Sequence, residues 1–257
     1  NLQNIPIRTE EGRRIRRAFV IGREGWLLLA ADYAQIELRI AAHLSRDPLL
    51  MQTFRDGVDV HAATAATLFD TTPDAVSEDQ RRLAKTINFA ILYGISGWGL
   101  AQRTDMTLEE ADPFIKRYRS RYPGIDEYIK RTEAHGQEYG WVETPMRRRR
   151  YLPELKSRSA PVRAAGKRMA INHPIQGGQA DLIKMAMINI HRDLMAAGLQ
   201  SRMILQVHDE LVFEVPEEEL PRVAPLVKER METAMALDVP IVVEMKTGPN
   251  WGELTSF

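Results

Sequence analysis

The chain has 257 residues, 44% hydrophobic and 27% charged, with 35 Lys and Arg balancing 35 Asp and Glu and no cysteine. That composition fits a globular protein of one large domain or two small ones, and it excludes disulfides and thiolate metal sites. No apolar run reaches membrane-spanning length and no basic-then-apolar signal sequence opens the chain, so a cytoplasmic location in a reducing compartment is the expectation. The first residue is Asn1 rather than Met, which reads as a cut from a longer chain. A net charge of zero gives no prior for a nucleic-acid partner, but the charges are unevenly spread. Arg13, Arg14, Arg16 and Arg17 cluster early, Arg147 to Arg150 form an unbroken run, and Glu217 to Glu219 concentrate acid late. Such a split presents a basic groove to phosphates or forms plain solvated surface.

Residues 1–23 are polar and basic, and Asn1, Gln3, Asn4 and Arg8 offer amide and guanidinium groups suited to sugar and phosphate contacts. An ordinary loop is the competing reading. Residues 26–31 form the first strand, which runs into Asp32. A helix over 35–44 sets Ile36, Ile40 and Leu44 on one stripe, with Glu37 off it. Asp47-Pro48 starts a short helix over 48–54. A helix over 59–69 carries His61, and 71–74 form a turn.

The helix over 77–93 is the most informative. Ser77 and Gln80 make a capping box. Arg81, Lys85, Phe89 and Tyr93 then recur every four residues and so share one drifting stripe, cationic first and aromatic second. That order suits a nucleotide, with cations on the triphosphate and rings on the sugar and base. An amphipathic helix with aromatic core and solvated charge explains less well why both share a face. Gly94, Gly97 and Gly99 end the helix in a flexible turn.

Thr107 and Glu110 make a second capping box for a helix over 107–122, although Pro113 raises the alternative of a start capped by Asp112. Pro123-Gly124 separates it from a helix over 125–139. Short strands over 141–144 and 150–152 flank the arginine run. A basic helix over 159–172 is interrupted at His173-Pro174, and a second begins at residue 180, with Ile183, Met187, Ile190 and Leu194 as its core stripe and Gly198 closing it. Residues 203–215 read as a β-hairpin with His208, Asp209 and Glu210 at its tip. A helix over 220–235 and a strand over 240–245 complete the chain.

Two strands that each end on a carboxylate can bring Asp32 and Asp209 together. Close carboxylates repel unless a cation lies between them. Two readings stand at this point, a Mg²⁺ site or two unrelated loop acids.

The stretches DYAQIELR, RRLAKTINFAILYG and QVHDELV, in that order, resemble the three polymerase motifs of the bacterial DNA polymerase I family (family A). Similarity also runs through NLQNIPIRT, RRIRRAF and NHPIQG and so covers nearly the whole chain. The resemblance implies an α+β right hand: an antiparallel-sheet palm with helices, carrying a mostly helical fingers insertion, with the thumb absent. On that division 1–58 and 164–257 are palm and 59–163 are fingers. The implied activity is template-directed transfer of dNMP from dNTP to a primer 3′-hydroxyl by a two-metal mechanism, on primer–template DNA, as a monomer. Asp32 and Asp209 match the family's metal-binding aspartates, the Tyr33 carbonyl a further ligand for two Mg²⁺ ions, and Glu210 an accessory catalytic acid. Arg81, Lys85 and His61 match contacts to the triphosphate. Phe89 matches the residue packing on the sugar, where the lack of a hydroxyl goes with discrimination against dideoxynucleotides. Tyr93 and Glu37 match the pair that excludes a ribose 2′-hydroxyl. Gln35 matches a contact to both the nucleotide and the template–primer, and Asn4 and Arg8 match further template–primer contacts. Arg168, Asn172, Gln176 and His208 match residues near the primer terminus and the minor-groove edge.

Three positions depart from the family pattern. Ala34 replaces a common Ser, Arg147 stands where Gly is usual and is expected to alter its hairpin, and Gly178-Gln179 replaces Thr-Ala and is expected to loosen a helix start beside Gln176. Two other functions compete: a single-subunit RNA polymerase, and a catalytically weak nucleic-acid-binding fragment. With no thumb, the segment alone is expected to bind primer–template weakly.

Overall fold

The computed structural model describes every residue except Asn1, Arg8 and Asp105. The chain divides into two compact units. The first comprises Asn1–Ile36, Gln179–Ala236 and Ile241–Phe257; the second comprises Glu37–Gly178 and Leu237–Pro240. These breaks fall before the expected 58/59 boundary and after the expected 163/164 boundary.

In chain order the elements are α1 (Glu10–Arg17), β1 (Trp26–Tyr33), α2 (Ile36–Ser45), α3 (Pro48–Arg55), α4 (Val60–Leu68), α5 (Glu78–Leu92), α6 (Gly97–Ala101), α7 (Leu108–Arg121) and α8 (Pro123–Tyr139). There follow β2 (Trp141–Glu143), β3 (Arg149–Tyr151), α9 (Ala160–Ala196), β4 (Arg202–Val207), β5 (Glu210–Pro216), α10 (Leu220–Glu232), β6 (Val243–Gly248) and β7 (Thr255–Ser256).

The first unit is built on an antiparallel sheet of order β4-β5-β1-β6-β7. β1 lies between β5 and β6 and is apolar up to its end, with Leu29 and Ala31 fully buried. Alternation sorts its side chains onto two faces. Leu28 and Ala30 pack with Val207, Val212 and Trp251 on one face, edged by Phe19 and Ile21. Tyr33 belongs to the other face, where its hydroxyl donates to the Met231 carbonyl of α10 at 2.9 Å. The polar start of the chain is not all loop. Thr9 caps α1 by accepting from the Gly12 N–H, and acids in the first turn and arginines in the last suit the helix dipole.

In the second unit α5 is capped as expected: Ser77 accepts from the Gln80 N–H while the Gln80 side chain accepts from the Ser77 N–H. Its inner face is Ala84, Ile87, Asn88, Ile91 and Leu92, all buried. Gly94, at φ +71°, ends it. Gly97 and Gly99 instead belong to α6, capped by Ser96, so the expected flexible turn is a short helix. For α7 the Thr107 and Glu110 box prevails and Pro113 is carried inside the helix, which overturns the alternative start at Asp112.

The largest correction concerns α9. The expected break at His173-Pro174 is absent, and 37 residues form one helix with Pro174 in its interior. A proline deletes one helical hydrogen bond, and the long helix keeps the rest. Gly177 and Gly178 are there for close packing: a Cβ on Gly177 would lie 2.7 Å from Thr144 Cγ2, and one on Gly178 would lie 3.1 Å from Pro145 Cδ. With no helix start beside Gln176, the expected loosening there does not arise. Arg147, in place of the usual Gly, holds φ +62° between β2 and β3, which still pair. The strand expected over 240–245 is displaced to Val243–Gly248, and it is not the last, since β7 follows and pairs with it.

Candidate active site

The acid site stands on the sheet of the first unit. Asp32 is the penultimate residue of β1, inside the strand rather than beyond it. The register sets Asp32 opposite Glu210 on β5 and opposite Glu244 on β6. Directly paired residues share a face, so Glu210, Asp32 and Glu244 make an acidic row across three neighbouring strands. Asp209 belongs to the turn between β4 and β5, where His208 holds φ +56°. The Asp209 carbonyl accepts from the Tyr33 N–H at 3.3 Å, which ties the turn to the residue after Asp32.

Asp32 keeps an exposed edge, but the surrounding protein strips water from its carboxyl and, reinforced by Asp209, Glu210 and Glu244 and opposed by Lys246, pushes it up to about 7. Glu210 is likewise raised by burial, against the pull of Trp251, Arg16 and Lys246. The Trp251 indole donates to Glu210 Oε1 at 3.0 Å, and the Arg16 guanidinium stacks on the Trp251 ring at 4.0 Å. Arg16 is buried and donates to the Ile5 carbonyl at 3.2 Å. A cleft of about 450 Å³ opens on this group, lined by Asn4, Arg16, Asp32, His208, Asp209 and Glu210 among others.

Among the described residues no three His, Asp or Glu side chains form a ready-made metal cage. The donor set nevertheless fits a divalent cation such as Mg²⁺. Hard carboxylate oxygens repel one another here, and Mg²⁺ takes few protein ligands, keeping the rest for water and phosphate. The Tyr33 side chain is engaged in the core, which leaves its backbone carbonyl as the donor it has to offer.

The second unit carries the cationic group. Arg81 and Lys85 on α5 are exposed, and Phe89 and Tyr93 are half-buried. The Phe89 and Tyr93 rings lie 6.1 Å apart, and the His61 ring lies 6.0 Å from Phe89. Arg81 Nε pairs with Asp59 Oδ2 at 2.6 Å. Asp59 also caps α4 by accepting from the N–H groups of His61 and Ala62. Burial works against ionised Asp59, but these bonds outweigh it and hold its carboxyl below the usual range. His61 is buried and held down to about 4, by burial first and then, against Asp59, by Lys85 and Arg81. Its imidazole is therefore neutral at pH 7, a donor rather than a cation.

The Tyr93 hydroxyl donates to Glu37 Oε2 and also bonds the Gln176 side chain; burial, then Glu37, pushes the phenol well up. Arg168, Asn172 and Gln176 follow at four-residue steps along α9 and share one face. Gln35 is half-buried at φ +55°, between β1 and α2. Arg8 lies outside the described residues.

The sequence alone does not place Glu244, Lys246 or Trp251 in the site, and it marks Arg16 only as one of an early arginine cluster. The strand expected over 240–245 contains Glu244, but its pairing with Asp32 is long-range. Nothing local marks Trp251 as the partner of Glu210.

Residues 1–253 match the model of a family described as DNA polymerase family A. The chain is 52% identical over 253 residues to a DNA polymerase I of Pseudomonas aeruginosa, covering 98% of this chain and 28% of that protein. It is 51% identical over 253 residues to a thermostable DNA polymerase I of Thermus filiformis, covering 98% of this chain and 30% of that protein. The chain thus spans under a third of the length of these relatives. Among solved structures it superposes with TM-score 0.94 and 47% identity on the POL domain of Pol1 from M. smegmatis, in complex with DNA primer-template and dNTP, covering 98% of this chain and 44% of that one. The fold is accordingly the mixed helix and antiparallel-sheet architecture of a family A polymerase domain. Among the described residues no helix is long and apolar enough to cross a membrane.

Proposed function

The chain belongs to DNA polymerase family A, and on that premise we propose that it adds dNMP from dNTP to a primer 3′-hydroxyl under the direction of a DNA template. The observation that carries the proposal is the acidic row, in which the register sets Asp32 level with Glu210 and Glu244 and the turn carrying Asp209 is bonded to the Tyr33 N–H. Phosphoryl transfer asks a protein mainly for positioning and for charge neutralisation.

Asp32, Asp209 and the Tyr33 carbonyl would hold two Mg²⁺ ions. The chemistry such ions supply is activation of the 3′-hydroxyl and neutralisation of charge on the triphosphate and departing pyrophosphate. Glu210, held by the Trp251 indole, stands beside that pair as an accessory carboxyl. Arg81 and Lys85 bind the triphosphate, His61 donates a hydrogen bond to it, and Phe89 packs on the sugar. Tyr93, tied to Glu37, occupies the space that a 2′-hydroxyl needs. That contact favours dNTP over rNTP and speaks against an RNA polymerase. Gln35, Asn4, Arg8, Arg168, Asn172, Gln176 and His208 contact the template–primer. Minor-groove acceptors are common to all correct base pairs, so contacts there sense pair geometry without reading sequence.

The test is primer extension with Asp209→Ala in the protein that carries this chain. Activity is expected to fall by at least about 1,000-fold, because charge neutralisation at the reacting phosphate is worth several kcal/mol. Near-normal extension would remove the acid site from the mechanism.

A further inference from the structure

A buried hydrogen-bond chain runs from Tyr118 on α7 through Asn88 on α5 to His61 on α4. The Tyr118 hydroxyl donates to Asn88 Oδ1 at 2.9 Å, and the Thr64 hydroxyl donates to the same oxygen at 3.1 Å. On its other side Asn88 Nδ2 lies 3.1 Å from His61 Nδ1. Asn88 and Thr64 have almost no exposure, and Tyr118 is buried. A buried phenol must place its proton on an acceptor, and Asn88 Oδ1 is where this one points. Two donors at the oxygen fix the orientation of the amide. Its NH₂ group then faces His61, and an amide nitrogen can only donate. Nδ1 of His61 is therefore the acceptor, and the ring proton belongs on Nε2. A protonated ring would set donor against donor.

We propose that Asn88, oriented by Tyr118 and Thr64, is a positioning residue that fixes the tautomer of His61 with its proton on Nε2, as a donor to a phosphate oxygen of the incoming nucleotide. The inference deepens the polymerase reading and rests on it. A neutral imidazole carries its proton on Nε2 in only one of its two tautomers, and Asn88 selects that one. α5 thus contributes twice, with Phe89 beside the imidazole and Asn88 behind it.

The test is ¹⁵N NMR of histidine-labelled protein, in which protonated and bare ring nitrogens are distinguished by chemical shift. Wild-type His61 is expected to show Nε2–H, with its signal perturbed by saturating dATP. Asn88→Asp offers a carboxylate to Nδ1 and should move the proton there or charge the ring. Tyr118→Phe, which removes one hydroxyl, frees the amide to rotate and should produce a population with Nδ1–H. In Tyr118→Phe the KM for dNTP should rise about fivefold, the worth of one hydrogen bond, and by more than kcat falls. A purely structural network would not move the tautomer. Nδ1–H in the wild type, an unchanged tautomer in both variants, or a tautomer shift with no change in KM would each overturn the proposal. None of these results touches the polymerase reading, which stands or falls with Asp209.

Discussion

The two functional groups of this protein are assembled in opposite ways. The acid row takes one residue from each of three strands that are far apart in sequence, and it exists only when β5, β1 and β6 are in register. The cationic stripe comes from one helix and needs little more than a four-residue repeat and a capped start. The acid site places like charges together and is poorly satisfied alone. The helix group is partly satisfied already, because Asp59 answers Arg81. Long-range assembly buys a concentration of charge that no single helix face holds without self-repulsion, and local assembly gives a ladder of different chemistries.

The sharpest way to break this comparison is at the helix. Arg81→Ala should lower kcat/KM by about 100-fold, as removal of a preorganised phosphate donor does, and leave divalent-metal affinity of the protein unchanged. A parallel loss of metal affinity, read by Mn²⁺ titration, would show that the two groups are not energetically separate. Sugar selection comes next. Glu37→Ala frees the Tyr93 hydroxyl and should increase rNTP incorporation by about 10- to 100-fold; unchanged selectivity would remove the pair from the sugar gate.

The acid site offers a stability test. Trp251→Phe keeps a ring for Arg16 but leaves Glu210 without its indole donor, and should cost about 1–3 kcal/mol in denaturant unfolding. pH separates the two groups further. The folded-state carboxyl of Asp32 is raised from 3.8 to about 7. The folded metal-free protein therefore binds more protons than the unfolded chain between these values. The stability this group confers is complete below about 4 and is lost as pH rises through about 7. Thermal melting without divalent ions should show that fall, Asp32→Asn should flatten it, and Mg²⁺ at neutral pH should reverse it. The smallest effect is expected in the turn between β2 and β3. Arg147 holds a left-handed backbone that suits glycine, so Arg147→Gly should stabilise the protein by up to about 1 kcal/mol. A loss of stability would mean that its side chain compensates for the strain.

The same contrast explains what could be read from the chain in advance. The stripe on α5 was legible residue by residue, because periodicity and the Ser77 and Gln80 box are local signals. Asp32 and Asp209 were visible as strand-end acids, but Glu244 was not, since only the ladder with β1 reveals its place. α1 was passed over as loop although Thr9, its two following acids and its late arginines spell a capped helix. Pro174 and the glycines after it read locally as a break in α9. Their purpose becomes clear only beside Thr144 and Pro145, which local pattern cannot supply. The family resemblance marks His61 as a phosphate contact, while its neutrality depends on burial that no periodicity encodes.

The position of β1 within the sheet has one more consequence. A strand laddered along both edges is clamped: sliding Asp32 by even one residue would tear two sets of backbone bonds and turn its side chain to the opposite face. Asp209 rides instead on a tight bend whose neighbour already sits in the left-handed region. The spacing of the pair is therefore set by a strand held on both sides and by a bend bonded to it through the Tyr33 N–H and the Asp209 carbonyl.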